Sequence, residues 1–282
     1  MSQRKAEAHK GLFGHVLIIA GSQRYSGAAV FCVWGALRCG AGLVTLGLPR
    51  SLSGPIIGVK PIDAMLMPLD ETQEGTLSEK AFKPVMEFAE GASTVVLGPG
   101  LGLDTSTQRL VRRLVLELNK PLVIDASALD ALMGHNDILK RSRNNSAFRV
   151  ITPHPGEMAR LTGIKVTAIQ KNRKDIAKEF ANEYNVTVIL KGNATVAASP
   201  SGSLYINRTG NPGMARGGSG DILSGMVAAF LGQGMDAFEA AKYAVYLHGL
   251  AGDIAAKDKT QLGMVASDII DRIPDAIRAS SR

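Results

Sequence analysis

Short, continuously apolar runs recur along the chain between longer stretches of helical spacing. "VLIIA" (16–20), "LVTLGL" (43–48), "AMLMPL" (64–69), "TVVLGPG" (94–100), "LVIDA" (122–126), "RVITPH" (149–154) and "VTVILKG" (186–192) read as strands. Most are apolar at successive positions rather than alternating, as strands covered on both faces are. Helices are expected at 27–39, closed by Gly40, at 104–119 and at 167–184. "TVAASPSGSLYIN" (195–207) has the form of a hairpin with Ser-Pro-Ser-Gly at its turn. Beyond it the chain is helical. Ile222, Leu223, Met226, Val227, Phe230 and Leu231 follow helical spacing up to Gly232 and Gly234, and "AFEAAKYAVYLHGLAGDIAA" (237–256) is rich in small residues that allow close helix approach. No linker, repeat or low-complexity tract interrupts the alternation. The expectation is a single α/β domain with a mainly parallel central sheet flanked by helices.

Composition narrows the setting. Hydrophobic residues make up 45% and charged residues 20%, ordinary for a packed domain of 282 residues. The two cysteines, Cys32 and Cys39, fall on one face of an expected helix and read as buried thiols in a reducing compartment. No apolar run is long enough to span a membrane, and "MSQRKAEAHKG" lacks the apolar core of a signal peptide, so a cytoplasmic protein with no membrane partner is expected. The net charge of +7 raises the question of nucleic acid. Apart from "KRSRNN" (140–145) the basic residues are scattered, and aromatics are only 5%, which argues against a nucleic-acid surface and for a phosphate-rich small substrate.

The chemistry sits at strand ends, where an open α/β sheet binds its ligands. "GSQRYSG" (21–27) follows the first strand but is not G-x-G-x-x-G, and no P-loop motif occurs anywhere in the chain. "LGPGLG" (97–102) places Gly98, Gly100 and Gly102 after a strand, "ITPHPGE" (151–157) holds His154 between two prolines, and "LKGNAT" (190–195) ends a strand with Lys191. Each has a plain alternative. Taken alone, His154 reads more readily as a hydrogen-bonded loop residue, Lys191 as a solvated strand end, Asp125 as the N-cap of the helix after it, and His248 as a packed structural histidine. "NPGMARGGSGDILSG" (211–225) sets five glycines around Asp221 at a helix mouth. Asp221 there is either an N-cap or a general base. In the second case the backbone N–H groups of Gly218, Ser219 and Gly220 surround a transferring phosphoryl group. The helix dipole is expected to hold Asp221 ionised.

"HKGLFGHVLIIAGSQRYSGAA", "GALRCGAGLVTLG", "LGPGLG", "ITPHPGEMARL", "LKGNATV" and "NPGMARGGSGDILSGMVAAFLGQG" stand in an order and spacing that resembles the ADP/ATP-dependent (S)-NAD(P)H-hydrate dehydratases. The resemblance implies one ribokinase-like domain over residues 10–278. It also implies a hydro-lyase that repairs hydrated NADH or NADPH (NADHX, NADPHX), spending ADP, or ATP, to phosphorylate the added hydroxyl. By the same resemblance Asp221 is the base, Gly218, Ser219 and Gly220 form the anion hole, and Ala41, Gly102 and His154 line the site for the hydrated dinucleotide. Lys191, Gly192, Asn193, Ala194 and Thr195 hold the adenine nucleotide, with Gly220 also touching it. Magnesium on the phosphates, a homo-oligomer (a tetramer) and a separate NAD(P)H-hydrate epimerase are the implied cofactor and partners. Two positions depart from the pattern. Ser127 stands where many relatives carry a second acid, and Arg216 where a small hydroxyl residue is common. The alternatives are a kinase of a small hydroxymethyl compound, of thiamin-precursor or pyridoxal type, and a nucleotide-binding regulator without catalysis; "ITPHPGEM" and "NPGMA" favour the dehydratase over the first, and the intact Asp221 loop opposes the second.

Overall fold

The apolar runs pair into one sheet of nine strands: β1 (His15–Ile19), β2 (Leu43–Pro49), β3 (Ala64–Leu69), β4 (Thr94–Leu97), β5 (Leu122–Ile124), β6 (Arg149–Ile151), β7 (Thr187–Leu190), β8 (Val196–Ala198) and β9 (Leu204–Ile206). The computed structural model describes residues 7–141 and 148–281, so most of "KRSRNN" lies outside the described residues. The strand order is β3-β2-β1-β4-β5-β6-β7-β8-β9. β1 to β7 are parallel, and the expected hairpin adds β8 and β9 antiparallel at one edge. The order reverses between β1 and β4, which makes the carboxyl ends of those strands and their neighbours the natural ligand crevice.

The unbroken apolar character of the strands has its reason in two cores. Val16 and Ile18 face one core, with the helices Ser26–Arg38, Ser219–Gly232, Ala237–Gly263 and Ala266–Ser280; Leu17 and Ile19 face the other, with Thr105–Glu117, Pro155–Thr162 and Arg173–Tyr184. The helix that carries Asp221 is seated by backbone contact. A Cβ on Gly225 would collide with the Cys32 carbonyl, and one on Gly35 with the carbonyl of Ile222. Both cysteines are buried, and burial pushes their thiols well up, as inert core residues.

Two expectations about elements are corrected. The stretch 167–184 is not one helix: Val166–Lys171 ends at Asn172 (φ −124°, ψ 38°), and a second helix starts at Arg173. The strand read over 94–100 stops at Leu97, because Gly98 (φ 131°) turns the chain where a Cβ would strike the carbonyl of Asp125. No helix among the described residues is long and apolar enough to cross a membrane.

Candidate active site

The helix Ser219–Gly232 begins behind Gly218 in the left-handed region (φ 93°), a conformation that suits glycine. Gly218, not Asp221, is therefore the N-cap, and Asp221 stands in the first turn. First-turn N–H groups have no acceptor inside their own helix. That of Ser219 reaches back to the Arg216 carbonyl over a long 3.4 Å. Gly220 lies under a lysine: a Cβ there would stand 3.1 Å from Lys191 Nζ.

Lys191 ties the strand ends together. Its backbone N–H donates to the Pro153 carbonyl (2.8 Å), and its ammonium lies 2.8 Å from Asp125 Oδ1 and 3.9 Å from Glu157 Oε2. Asp125, 1% exposed, takes a second hydrogen bond at Oδ2 from the Ser224 hydroxyl (2.7 Å), one turn below Asp221. The N-cap reading of Asp125 is thus corrected, for Ala126 occupies that place. The solvated-strand-end alternative for Lys191 also falls, because its side chain is 19% exposed and paired. Burial opposes the Lys191 charge, yet Asp125 and Glu157 outweigh it and raise Nζ above its ordinary value.

Three carboxylates around one cation cannot all ionise freely. Burial, then Asp125 and Glu157, push Asp221 up to about 7 against the pull of Lys191. The expectation of an Asp221 held ionised by the helix dipole is corrected: desolvation and two like charges outweigh the dipole. Glu157 is also pushed up to about 7, by burial first, with Lys191 opposing. A group near 7 serves as a general base at neutral pH, which a solvated aspartate does poorly.

His154 caps the helix Pro155–Thr162: Nδ1 accepts from the N–H groups of Gly156 (2.9 Å) and Glu157 (3.2 Å), while Glu157 Oε2 accepts from the His154 N–H (2.7 Å). This capping box leaves the half-exposed ring at the carboxyl end of β6, beside the cluster. Gly102 (φ 82°) lies beyond β4, and its N–H donates to the Ser127 hydroxyl (3.2 Å), so the departure at Ser127 has a role in holding this loop. Ser22 Oγ donates to the Gly100 carbonyl (2.7 Å), joining the β1 and β4 loops. Gly192, Asn193 and Ala194 form an exposed loop beyond β7, closed by Thr195 Oγ1 donating to the Gly192 carbonyl (3.0 Å). The Arg216 guanidinium donates to the Leu262 carbonyl.

Ala41 is not brought to this site. It precedes β2 at the amino end of the sheet, where Gly42 donates to the carbonyls of Phe13 and Gly14 just before β1. His248 is buried, as a packed histidine should be, but touches the loop: Nε2 lies 3.3 Å from Ser219 Oγ, and burial drives its pKa down to about 4. Sequence reasoning passed over Glu157 and Ser224 as site residues. The acid in "HPGE" at a strand end was the signal for the first; Ser224, one helical turn past Gly220, gave none.

A family model described as NAD(P)H-hydrate dehydratase matches residues 16–275. The chain belongs to that family. It is 34% identical over 277 residues to the ADP-dependent (S)-NAD(P)H-hydrate dehydratase of Bacillus subtilis, covering 97% of this chain and 92% of that one. The crystal structure of the B. subtilis ADP/ATP-dependent NAD(P)H-hydrate dehydratase, co-crystallised with ATP/Mg2+, matches with a TM-score of 0.82 at 32% identity, covering 99% of this chain and 94% of that one. A ribokinase-like superfamily protein of Enterococcus faecalis V583 also reaches a TM-score of 0.82, at 28% identity over 99% of this chain and 91% of that one, and the fold is ribokinase-like. Identity is 43% over 278 residues, 99% of this chain, to the bifunctional NAD(P)H-hydrate repair enzyme Nnr of Moorella thermoacetica; the chain spans about half that relative's length, 52%.

Proposed function

We propose that this chain dehydrates the S epimer of hydrated NADH or NADPH at the expense of an adenine nucleotide, preferentially ADP. The observation that carries the reading is Asp221, poised near neutrality at the mouth of a glycine-led helix beside a half-buried, paired lysine. Asp221 takes the proton of the added hydroxyl as its oxygen bonds to the terminal phosphorus, and the bond from phosphorus to the AMP oxygen breaks. Charge developing on the phosphoryl oxygens meets the outward N–H groups of Gly218 and Gly220. The ring nitrogen's lone pair then expels the phosphate, the neighbouring ring carbon loses a proton, and the reduced nicotinamide is restored. Gly102 and His154 line the dinucleotide side, and Lys191 to Thr195 the nucleotide side.

Among the described residues no three metal-capable side chains form a cage. The donors present are hard carboxylate oxygens, which fit a hard cation, and magnesium would be carried on the nucleotide's phosphates. When bound it would neutralise phosphate charge. A homo-oligomer, a cytoplasmic setting and an epimerase that delivers the S form complete the proposal. The kinase reading shares the fold and the loop; the family match supports the dehydratase.

The test is direct. Hydrated NADH incubated with the protein and ADP should regain the absorbance of reduced nicotinamide, and no regain with either ADP or ATP would refute the activity. A loop at one end and a helix mouth at the other leave one phosphate span, and a misplacement of about 1 Å costs on the order of a hundredfold. ADP is therefore expected to give the higher kcat/KM at saturating magnesium; equal values would show that the site tolerates the longer chain.

A further inference from the structure

The exposed loop after β7 has little packed against it from its own neighbourhood, yet two of its residues hold left-handed conformations: Gly192 at φ 138° and Ala194, which has a Cβ, at φ 53°. What braces it comes from elsewhere. Arg173, the first residue after the helix break at Asn172, extends its guanidinium beneath the loop. One nitrogen, Nη2, donates to the carbonyl of Leu190 (2.7 Å), the last residue of β7, and the other, Nη1, donates to the carbonyl of Asn193. Gly192 lies over the guanidinium: a Cβ there would stand 3.2 Å from Nη2, 3.3 Å from Cζ and 3.4 Å from Nη1. The guanidinium thus pins the end of β7 and one carbonyl of the loop, that of Asn193, to a single rigid cation.

We propose that Arg173 is a positioning residue that pre-shapes the loop Gly192–Thr195 for the adenine nucleotide, and so sets nucleotide affinity and leaves turnover alone. This rests on the reading of that loop as the nucleotide site. A flexible loop must be ordered when its ligand binds, and a brace that orders it beforehand removes that cost. The brace needs a fork. Arginine presents two donors in fixed geometry to two carbonyls, whereas a lysine ammonium is a compact point charge without that planar fork.

The experiment measures ADP affinity by calorimetry on the full chain, wild type against Arg173→Ala and Arg173→Lys, with steady-state kinetics on hydrated NADH alongside. Without the brace the loop's ordering cost falls on binding, which predicts an ADP Kd and KM about 10- to 100-fold higher in Arg173→Ala. Arg173→Lys should lie between, while kcat at saturating ADP and the KM for the hydrate stay at wild-type values. An unchanged ADP Kd in Arg173→Ala overturns the inference, as does a fall in kcat together with a rise in both KM values, the mark of general damage. If the wild type binds no adenine nucleotide, the inference and the loop reading fall together. If the wild type binds ADP but restores no reduced nicotinamide, the proposed activity fails by itself, and a weakened Kd in Arg173→Ala still upholds the brace.

Discussion

At the scale of single residues, the site is a problem of charge. Asp221→Asn keeps the shape of the helix mouth but removes the proposed base, so kcat is expected to fall by about 100- to 10,000-fold with ADP affinity retained. Near-normal turnover of the purified variant would remove Asp221 from its role. Because the proposed base must be ionised to act, kcat/KM for the wild type should climb as pH rises through about 7, where Asp221 and Glu157 both titrate, and level off above it. Gly220→Val puts a branched side chain where even a bare Cβ would stand 3.1 Å from Lys191 Nζ. It should displace the lysine and weaken both ADP binding and turnover, and unchanged calorimetric affinity would show that nothing binds over Gly220. The residue types at this site were legible from strand ends and one glycine-rich loop. Their protonation was not: the value of Asp221 depends on Asp125 and Glu157, which lie 96 and 64 positions away in the chain and meet it only through the sheet.

At the scale of elements, β5, β7 and the Ser219–Gly232 helix are locked by Asp125, which takes Lys191 on one oxygen and Ser224 on the other. That helix also rests on Ser26–Arg38 through Gly225 and Gly35 with no side chain between the backbones. Gly225→Ala tests the contact. A surface helix would gain about 1 kcal/mol from this change. Here the new methyl meets the Cys32 carbonyl, and overpacking should instead cost about 1–3 kcal/mol in denaturant unfolding. A stabilised variant would mean the helices can part freely. Continuous apolar runs revealed the strands β1 to β7, most of them buried on two faces, with the edge strand β3 partly exposed, and the Ser-Pro-Ser-Gly turn revealed the hairpin. The apolar pattern hid the break at Asn172, since the two helices of 166–184 share one charged, solvent-facing pattern and nothing in their spacing marks a change of direction.

At the scale of the whole molecule, the site is assembled against stability. Asp221 is protonated in the folded chain and ionised in the unfolded one from its ordinary value of 3.8 up to about 7, so folding takes up a proton and the stability it contributes declines as pH rises across that window. Glu157, raised from 4.5 to about 7, acts in the same sense as Asp221, and His248 in the opposite one, being neutral when folded down to about 4 but charged when unfolded below 6.5, so the wild-type profile alone mixes all three. The difference between wild type and Asp221→Asn isolates the carboxylate. The variant should melt higher than the wild type at pH 8, and its advantage should vanish toward pH 4; an advantage independent of pH would contradict a buried, costly charge. The same arrangement defines the reaction, and the most direct test follows both products at once. With hydrated NADH, ADP and magnesium, phosphorus NMR and nicotinamide absorbance should show one inorganic phosphate and one AMP for each NADH restored, and Asp221→Asn should form them about 100- to 10,000-fold more slowly. A lasting phosphate ester with no return of absorbance would mean that the site stops at phosphoryl transfer, and would contradict dehydration as its function.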